Sequence, residues 1–305
     1  MVITGGAGFI GTNVVRAALD AGWTVTVLDN FSTGSRAHLE GLTAVEVIEG
    51  DILDRNIVSR LLPGAEVVVH LAAQTGIAES MVEPERGLQL NAAGTLLLLA
   101  ESVRAKVPRF ILASTGGAII GNHLGAVHEE LVPRPVSPYG ASKLAAEAYV
   151  HVYARSFGLQ AVSLRFSNVY GPYSERKKNA IPQFIAAHRD GLPITIYGDG
   201  ENTRDFLHVS DLADAVLAAC TRTLGGGPVH LGTGVESSVN SLVATLAEVS
   251  GRAPSVRYEP ARPGEVRRNS ADIALARRLL DFEPRTDLRS GLLETWLWFQ
   301  RDGYS

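Results

Sequence analysis

Val2-Ile3-Thr4-Gly5-Gly6-Ala7-Gly8-Phe9-Ile10-Gly11 decides the fold of this chain. A short apolar strand runs into a turn with four glycines among seven residues. A helical pattern follows from about Thr12 to Ala21, and a second strand, Val25 to Leu28, ends at Asp29. Strand, glycine turn, helix, strand and acid in this order form a dinucleotide-binding unit. The glycines let backbone approach a pyrophosphate, whose charge then sits at a helix N-terminus. Asp29 stands 18 residues after Gly11, close to the ~20 at which a carboxylate meets a ribose diol. The same acid repels a 2′-phosphate, which favours NAD over NADP.

Outward from this unit, strands and helices alternate. Val45–Ile48 leads to Gly50-Asp51-Ile52, and Val67–Leu71 leads to Ala72-Ala73-Gln74. A helix is expected over roughly Gly87 to Lys106, then strands at Phe110–Ala113 and Ala161–Phe166. Repeated βα units with near-continuous apolar strands predict an α/β fold with a parallel sheet covered on both faces. Asp29, Asp51, Ala72, Ser114 and Phe166 fall at or just past strand ends, so they converge on one cleft.

Pro138 and Tyr139-Gly140-Ala141-Ser142-Lys143 open a long helical pattern that runs to Phe157 and closes at Gly158, with Ser137 placed to cap it. Tyr139 and Lys143 are four apart and share a helix face. A nearby cation is expected to lower the Tyr139 pKa and make it a usable general base. Ser114-Thr115 ends a strand 24 residues earlier, and either hydroxyl could pass a substrate proton to Tyr139.

Composition narrows the classes. A net charge of −4 over 305 residues does not suit a nucleic-acid binder. Cys220 is the single cysteine, so no intrachain disulfide can form and a reducing compartment is expected. The eight histidines are scattered without metal spacing. No apolar run reaches the ~18 residues of a membrane span, and Met1 leads directly into a strand without a signal layout. These features predict a cytoplasmic protein without metal or membrane partner. After Asn168 the organisation changes. Short elements around Pro182–Arg189, Ile194–Tyr197, Val239–Ser250, Ile273–Leu280 and Gly291–Arg301 predict a smaller α/β lobe interleaved with the first domain. The division expected is 1–168 with about 206–234 for the dinucleotide domain, and about 169–205 with 235–305 for the lobe.

Taken together the chain resembles the extended short-chain dehydrogenase/reductases, in particular their nucleotide-sugar epimerase/dehydratase group. The resemblance covers nearly the whole chain. It rests on Gly5–Gly11, Asp29-Asn30, Asp51-Ile52, Leu71-Ala72-Ala73, and Ser137-Pro138-Tyr139-Gly140 with Lys143. It continues through Arg165–Pro172, Gly198-Asp199-Gly200, Arg204-Asp205-Phe206, His208-Val209, Asp211 and Arg262-Pro263-Gly264-Glu265. The resemblance implies a Rossmann-type doubly wound sheet with a substrate lobe. It implies Tyr139 as base, Lys143 on the nicotinamide ribose, and Thr115 or Ser114 as relay. It further implies NAD held by Gly5, Gly8, Phe9, Ile10, Asp29, Asn30, Asp51, Ile52, Leu71, Ala72, Ala73, Gln74, Asn91 and Phe166. Asn168, Asn179, Tyr197, Arg204, Arg262 and Glu265 would hold the nucleoside diphosphate, where Arg204 and Arg262 supply cations. Relatives pair through the two long helices, which implies a homodimer.

Residues after the hydroxyl relay bear on the reaction. Dehydratases of this group carry Thr-Asp-Glu there and decarboxylases a Glu, whereas this chain has Thr115-Gly116-Gly117-Ala118. Without that acid the resemblance favours 4-epimerisation of a UDP-sugar of the UDP-glucose/UDP-galactose type. The alternatives are a UDP-glucuronate or other nucleotide-sugar epimerase, and an NAD(P)H-dependent reductase or dehydratase. Arg176 or Lys177, in Glu175-Arg176-Lys177-Lys178, could read a sugar carboxylate.

Overall fold

The structure, a computed structural model, describes residues 1–123, 125–261 and 267–301. Its centre is a seven-stranded sheet of β1 (Val2–Thr4), β2 (Val25–Asp29), β3 (Val45–Glu49), β4 (Val67–His70), β5 (Arg109–Thr115), β6 (Gln160–Phe166) and β7 (Pro228–Leu231). All run parallel, in the order β7-β6-β5-β4-β1-β2-β3. The order reverses between β1 and β4, and the crevice beyond their carboxyl ends is where such sheets bind ligands.

Alternate residues of each strand enter opposite cores. Ile3, Val27, Val69, Ile111 and Leu164 pack with Val14 and Val15 of the Phe9–Asp20 helix and with Leu212 and Val216 of the Val209–Thr221 helix. Val2, Leu28, Val68, Phe110 and Leu112 pack with Leu98, Leu99, Ala146 and Val150 on the other face. Both faces of the inner strands are therefore covered, which is why those strands read as near-continuous apolar runs, while the edge strand β3 keeps Glu46 and Glu49 exposed. Each fully buried Val, Leu, Ile or Phe contributes about 1.5–3 kcal/mol.

The helix expected over Gly87 to Lys106 is interrupted. Pro84–Gly87 is α-helical, Leu88–Ala93 is a π-helix, and Gly94–Arg104 is α-helical again. Wide π turns of this kind occur mostly at functional sites, and this one carries Asn91. The first helix begins at Phe9 rather than Thr12, because Gly8 already has cap geometry. The helix after Ser137 spans Pro138–Ser156, and Ser137 Oγ accepts from the Gly140 N–H.

After β6 the chain builds a second core. Tyr170, Ile181, Phe184, Ile194, Leu242, Trp296 and Phe299 form it, from the Ala180–Arg189, Val239–Ser250 and Leu288–Arg301 helices and the Asn168–Tyr170 and Ile194–Tyr197 strands. The strand Asn168–Tyr170 pairs in parallel with Phe206–His208, and Ile194–Tyr197 with Val256–Glu259. Ala271, Ile273, Ala276, Leu280 and Phe282 instead join the core of the large sheet. The chain therefore returns to the large sheet after residue 235 as well. Among the described residues no helix is long and apolar enough to cross a membrane.

Candidate active site

At the switch point the glycine turn lies against the end of β4. Gly5 has φ +71°, and a Cβ there would stand 2.6 Å from the Ala72 nitrogen. Only glycine lets the two strand ends approach so closely. The Phe9–Asp20 helix starts at Gly8, which has no side chain to cap it, so its first N–H groups remain available to an anion. Phe9 and Ile52 turn their side chains into the two cores and offer only backbone to the cleft. Ile10 packs partly buried beside them.

Asp29 closes β2 and is buried. Its carboxylate accepts from the Ala7 N–H at 2.9 Å and the Phe31 N–H at 2.8 Å, holding Phe31 at φ +54°. Burial pushes its pKa up against these two hydrogen bonds. Asn30 Nδ2 donates to Asp51 Oδ2 at 3.0 Å, which ties the ends of β2 and β3. Asn91 is fully buried. Its Oδ1 accepts from the Gln74 N–H, and its Nδ2 donates to Gln74 O and Ser142 Oγ. It fixes the Leu71-Ala72-Ala73-Gln74 segment and ties it to the helix of Tyr139. Leu71 and Ala72 are anchored in turn on Thr4, through its carbonyl and its hydroxyl. Gln74 Oε1 is a buried oxygen with no partner among the described residues. A bare helix N-terminus, an acid at the tip of β2 and an unsatisfied amide beside Asn91 fit a dinucleotide laid across the switch point.

The chemical residues meet at the end of β5. Tyr139 shares a hydrogen bond with the Thr115 side chain. Lys143 is buried, and its Nζ donates to Ala113 O at 2.9 Å. Ser114, the other candidate relay, is turned inward and donates to Glu147 Oε1 at 2.6 Å. Thr115 is thus the hydroxyl beside Tyr139.

Tyr139 itself corrects an expectation. Desolvation pushes it up to about 12, against the Thr115 hydrogen bond, where the Tyr-Lys spacing alone predicted a lowered value. The reason is that Lys143 is spent on a backbone carbonyl and is itself desolvated, which brings it down to about 8 against the pull of Glu147. Four residues of helix spacing brought the two groups to one face without placing the cation on the phenol.

Behind them lies a buried polar layer that motif reading missed. Arg165 grips Glu147 with Nε at 2.9 Å and a terminal nitrogen at 2.7 Å, and reaches His230 Nε2 at 3.4 Å. His70 spans Thr4 and Thr95. Thr95 donates to Asn91 O, so His70 Nε2 donates to Thr95 and Nδ1 accepts from Thr4. Arg165, His70 and His230 interrupt otherwise apolar strands, and that was the available signal.

In the lobe, the Asn168 N–H donates to Asp205 O, and Asn179 Nδ2 to Val169 O at 3.4 Å, which brings Asn168, Asn179 and Arg204 into one neighbourhood. Arg204 also donates to Thr203 O. Tyr197 ends its strand, and the following Gly198 N–H bonds Glu259 O. Arg262 and Glu265 lie outside the described residues. Asp205 is fully buried and gathers the N–H groups of Thr233, Gly234 and Ala271, locking the lobe strands to the end of β7. The segment Glu175–Lys178 returns to the large domain. Glu175 meets His38, Arg176 donates to Gly34 O, Lys177 to Thr75 Oγ1 and Lys178 to Glu79.

Comparison with known proteins places this geometry. UDP-glucose 4-epimerase from Thermotoga maritima, solved with UDP-glucose, superposes with a TM-score of 0.94 at 36% identity over 98% of both chains. UDP-glucuronic acid 4-epimerase from Bacillus cereus, in complex with UDP-glucuronic acid and NAD, gives 0.91 at 31% identity over 98% of both chains. A dTDP-glucose 4,6-dehydratase of Streptomyces niveus is 34% identical over 98% of this chain and 92% of its own. The NAD dependent epimerase/dehydratase family model matches residues 1–232. The chain belongs to the NAD-dependent epimerase/dehydratase family.

Proposed function

We propose that the chain binds NAD and epimerises a UDP-sugar of the UDP-glucose/UDP-galactose type at C4. The observation that carries this reading is the turn after Thr115. A Cβ on Gly116 would stand 2.8 Å from the His230 ring, and one on Gly117 would stand 2.6 Å from Asn269 Nδ2. The turn carries no carboxylate, and neither glycine leaves room for a larger side chain, so it offers no acid to protonate a leaving hydroxyl. Oxidation and return of the same hydride need no such acid. The relatives solved with UDP-glucose and UDP-glucuronic acid support a UDP-sugar.

When bound, NAD would supply the hydride acceptor and the positive charge of its nicotinamide ring. To act as base Tyr139 must first ionise, which a bound positive ring would favour; its phenolate oxygen would then take the proton of the sugar hydroxyl and later return it. Thr115 orients that hydroxyl, and Lys143 holds charge under the site. Asp29 and Asn30 would meet the adenosine ribose, Asn91 holds the Gln74 segment in place, and Asn168, Asn179, Tyr197 and Arg204 would hold the diphosphate end. Epimerisation would further require the 4-keto sugar to turn over in the cleft before the hydride returns to its other face.

Purified protein incubated with UDP-glucose, UDP-N-acetylglucosamine or UDP-glucuronate, with no added cofactor, tests the reading by NMR of the sugar. A C4 epimer supports it. A product lighter by one water assigns a dehydratase, and dependence on added NADH or NADPH assigns a reductase.

A further inference from the structure

Three consecutive residues at the end of β5 each hold a different turn of one helix. Thr115 shares a hydrogen bond with Tyr139, the Ala113 carbonyl accepts from Lys143, and Ser114 donates to Glu147. Tyr139, Lys143 and Glu147 are spaced at i, i+4 and i+8, so all three lie on the face turned to the strand. Glu147 is 7% exposed and is gripped through both oxygens by Arg165, which stands opposite Ser114 in the β5–β6 register. Burying such a pair is expensive, and packed apolar residues usually serve stability as well or better. Its place one helical turn from Lys143 gives it another use.

We propose that Glu147, clamped by Arg165 and Ser114, is a positioning residue: it fixes the helix register over the β5 tip and supplies the negative charge against which the Lys143 ammonium is held. Lys143 shares a helix face with Tyr139 and Glu147, and it faces His70 on β4 and the Ala113 carbonyl on β5. Behind Glu147 stand Arg165 on β6 and His230 on β7. Of these, Glu147 is the anionic group that opposes the desolvation of Lys143. Its catalytic meaning rests on the proposed function, whereas its effect on Lys143 does not.

The chain has four lysines, Lys106, Lys143, Lys177 and Lys178. Full-length protein labelled with 13C at lysine Cε therefore gives a resolvable titration, with Lys143 assigned by its loss in Lys143→Met. The parent midpoint is expected at about 8, and Glu147→Gln moves it at least one pH unit lower. In turnover, kcat falls ~10–100-fold with the KM changed less than about threefold, and the alkaline limb of kcat moves to lower pH with the titration. Because Glu147→Gln orphans Arg165, Glu147→Gln/Arg165→Met is measured beside it, and it removes both charges. A lowered midpoint is expected there too, with a smaller shift, because the Arg165 charge has gone as well. An unchanged Lys143 midpoint in either folded variant overturns the proposal. Loss of folding in both also overturns it, since the pair is then a structural pillar. Absence of turnover in the parent refutes the proposed function instead and leaves the titration to decide on Glu147.

Discussion

Ser114 and Thr115 are neighbours in one strand with opposite engagements: Ser114 Oγ is committed to Glu147 at 2.6 Å, and Thr115 to Tyr139. Substitution should separate them. Thr115→Val removes the hydroxyl beside the base, and kcat for epimerisation should fall by ~10²-fold or more, with bound NAD retained. Ser114→Ala loses one inward bond while Arg165 keeps its grip on Glu147, so less than about a tenfold loss is expected. Steady-state kinetics with absorbance of the released cofactor checks both. Equal losses would remove the distinction.

Lys143 should be a residue that costs stability. Its pKa stands at about 8 in the folded chain against an ordinary 10.5. A lowered lysine pKa penalises folding in full below about pH 8, and the penalty fades as pH rises toward 10.5. The gap is worth about 3 kcal/mol. Lys143→Met should therefore raise the urea midpoint at pH 7 while abolishing turnover, and its advantage over the parent should shrink between pH 8 and 10.5. A destabilised Lys143→Met would show that the Ala113 bond outweighs the desolvation.

Much of this was legible in the sequence. The glycine turn and Asp29 gave the order of β1, helix and β2, and the apolar runs gave a parallel sheet, because both faces of each strand are buried. The Tyr139–Lys143 spacing gave one helix face, and Ser137 with Pro138 gave its start. The direction of the Tyr139 pKa was misread, because helix periodicity fixes a face but not the rotamer, and Lys143 reaches past the phenol to Ala113. The π turn at Asn91 left no trace in the apolar pattern, since Leu88, Leu96 and Leu97 continue it. Glu147 was legible in principle as the next residue on the Tyr139–Lys143 face. Its partner Arg165 lies 18 residues on, and only the β5–β6 register makes them neighbours.

His70 and His230 should dominate the acid limb of stability. Burial holds both at about 3, helped by Lys143 and Arg165 respectively. A histidine lowered in the folded state contributes stability above its ordinary 6.5 that is lost as pH falls toward 3. Each should steepen the loss by about 1.4 kcal/mol per pH unit in that window. Urea unfolding from pH 7 to 4 should show the slope of two protons taken up. His230→Gln, which can still accept from Arg165, should halve it. A parental slope in His230→Gln would mean that other groups carry the acid limb.

The helix that bears the base also points to self-association. Tyr149 and Val152 on its outer side are exposed, as is Leu88 on the π segment that packs beside it. Leu96 and Leu97 lie partly open on the neighbouring helix. An apolar strip of this kind on two adjacent helices suits burial against a second copy of itself around a two-fold axis. Sedimentation at micromolar concentration should then give twice the chain mass of 32.5 kDa, and Tyr149→Glu/Val152→Glu should return it to one. The pair faces away from Ser114 and Ala113, so the bound cofactor should stay with the monomer. A parent that sediments at 32.5 kDa would assign the strip to solvent and the dimer would fall.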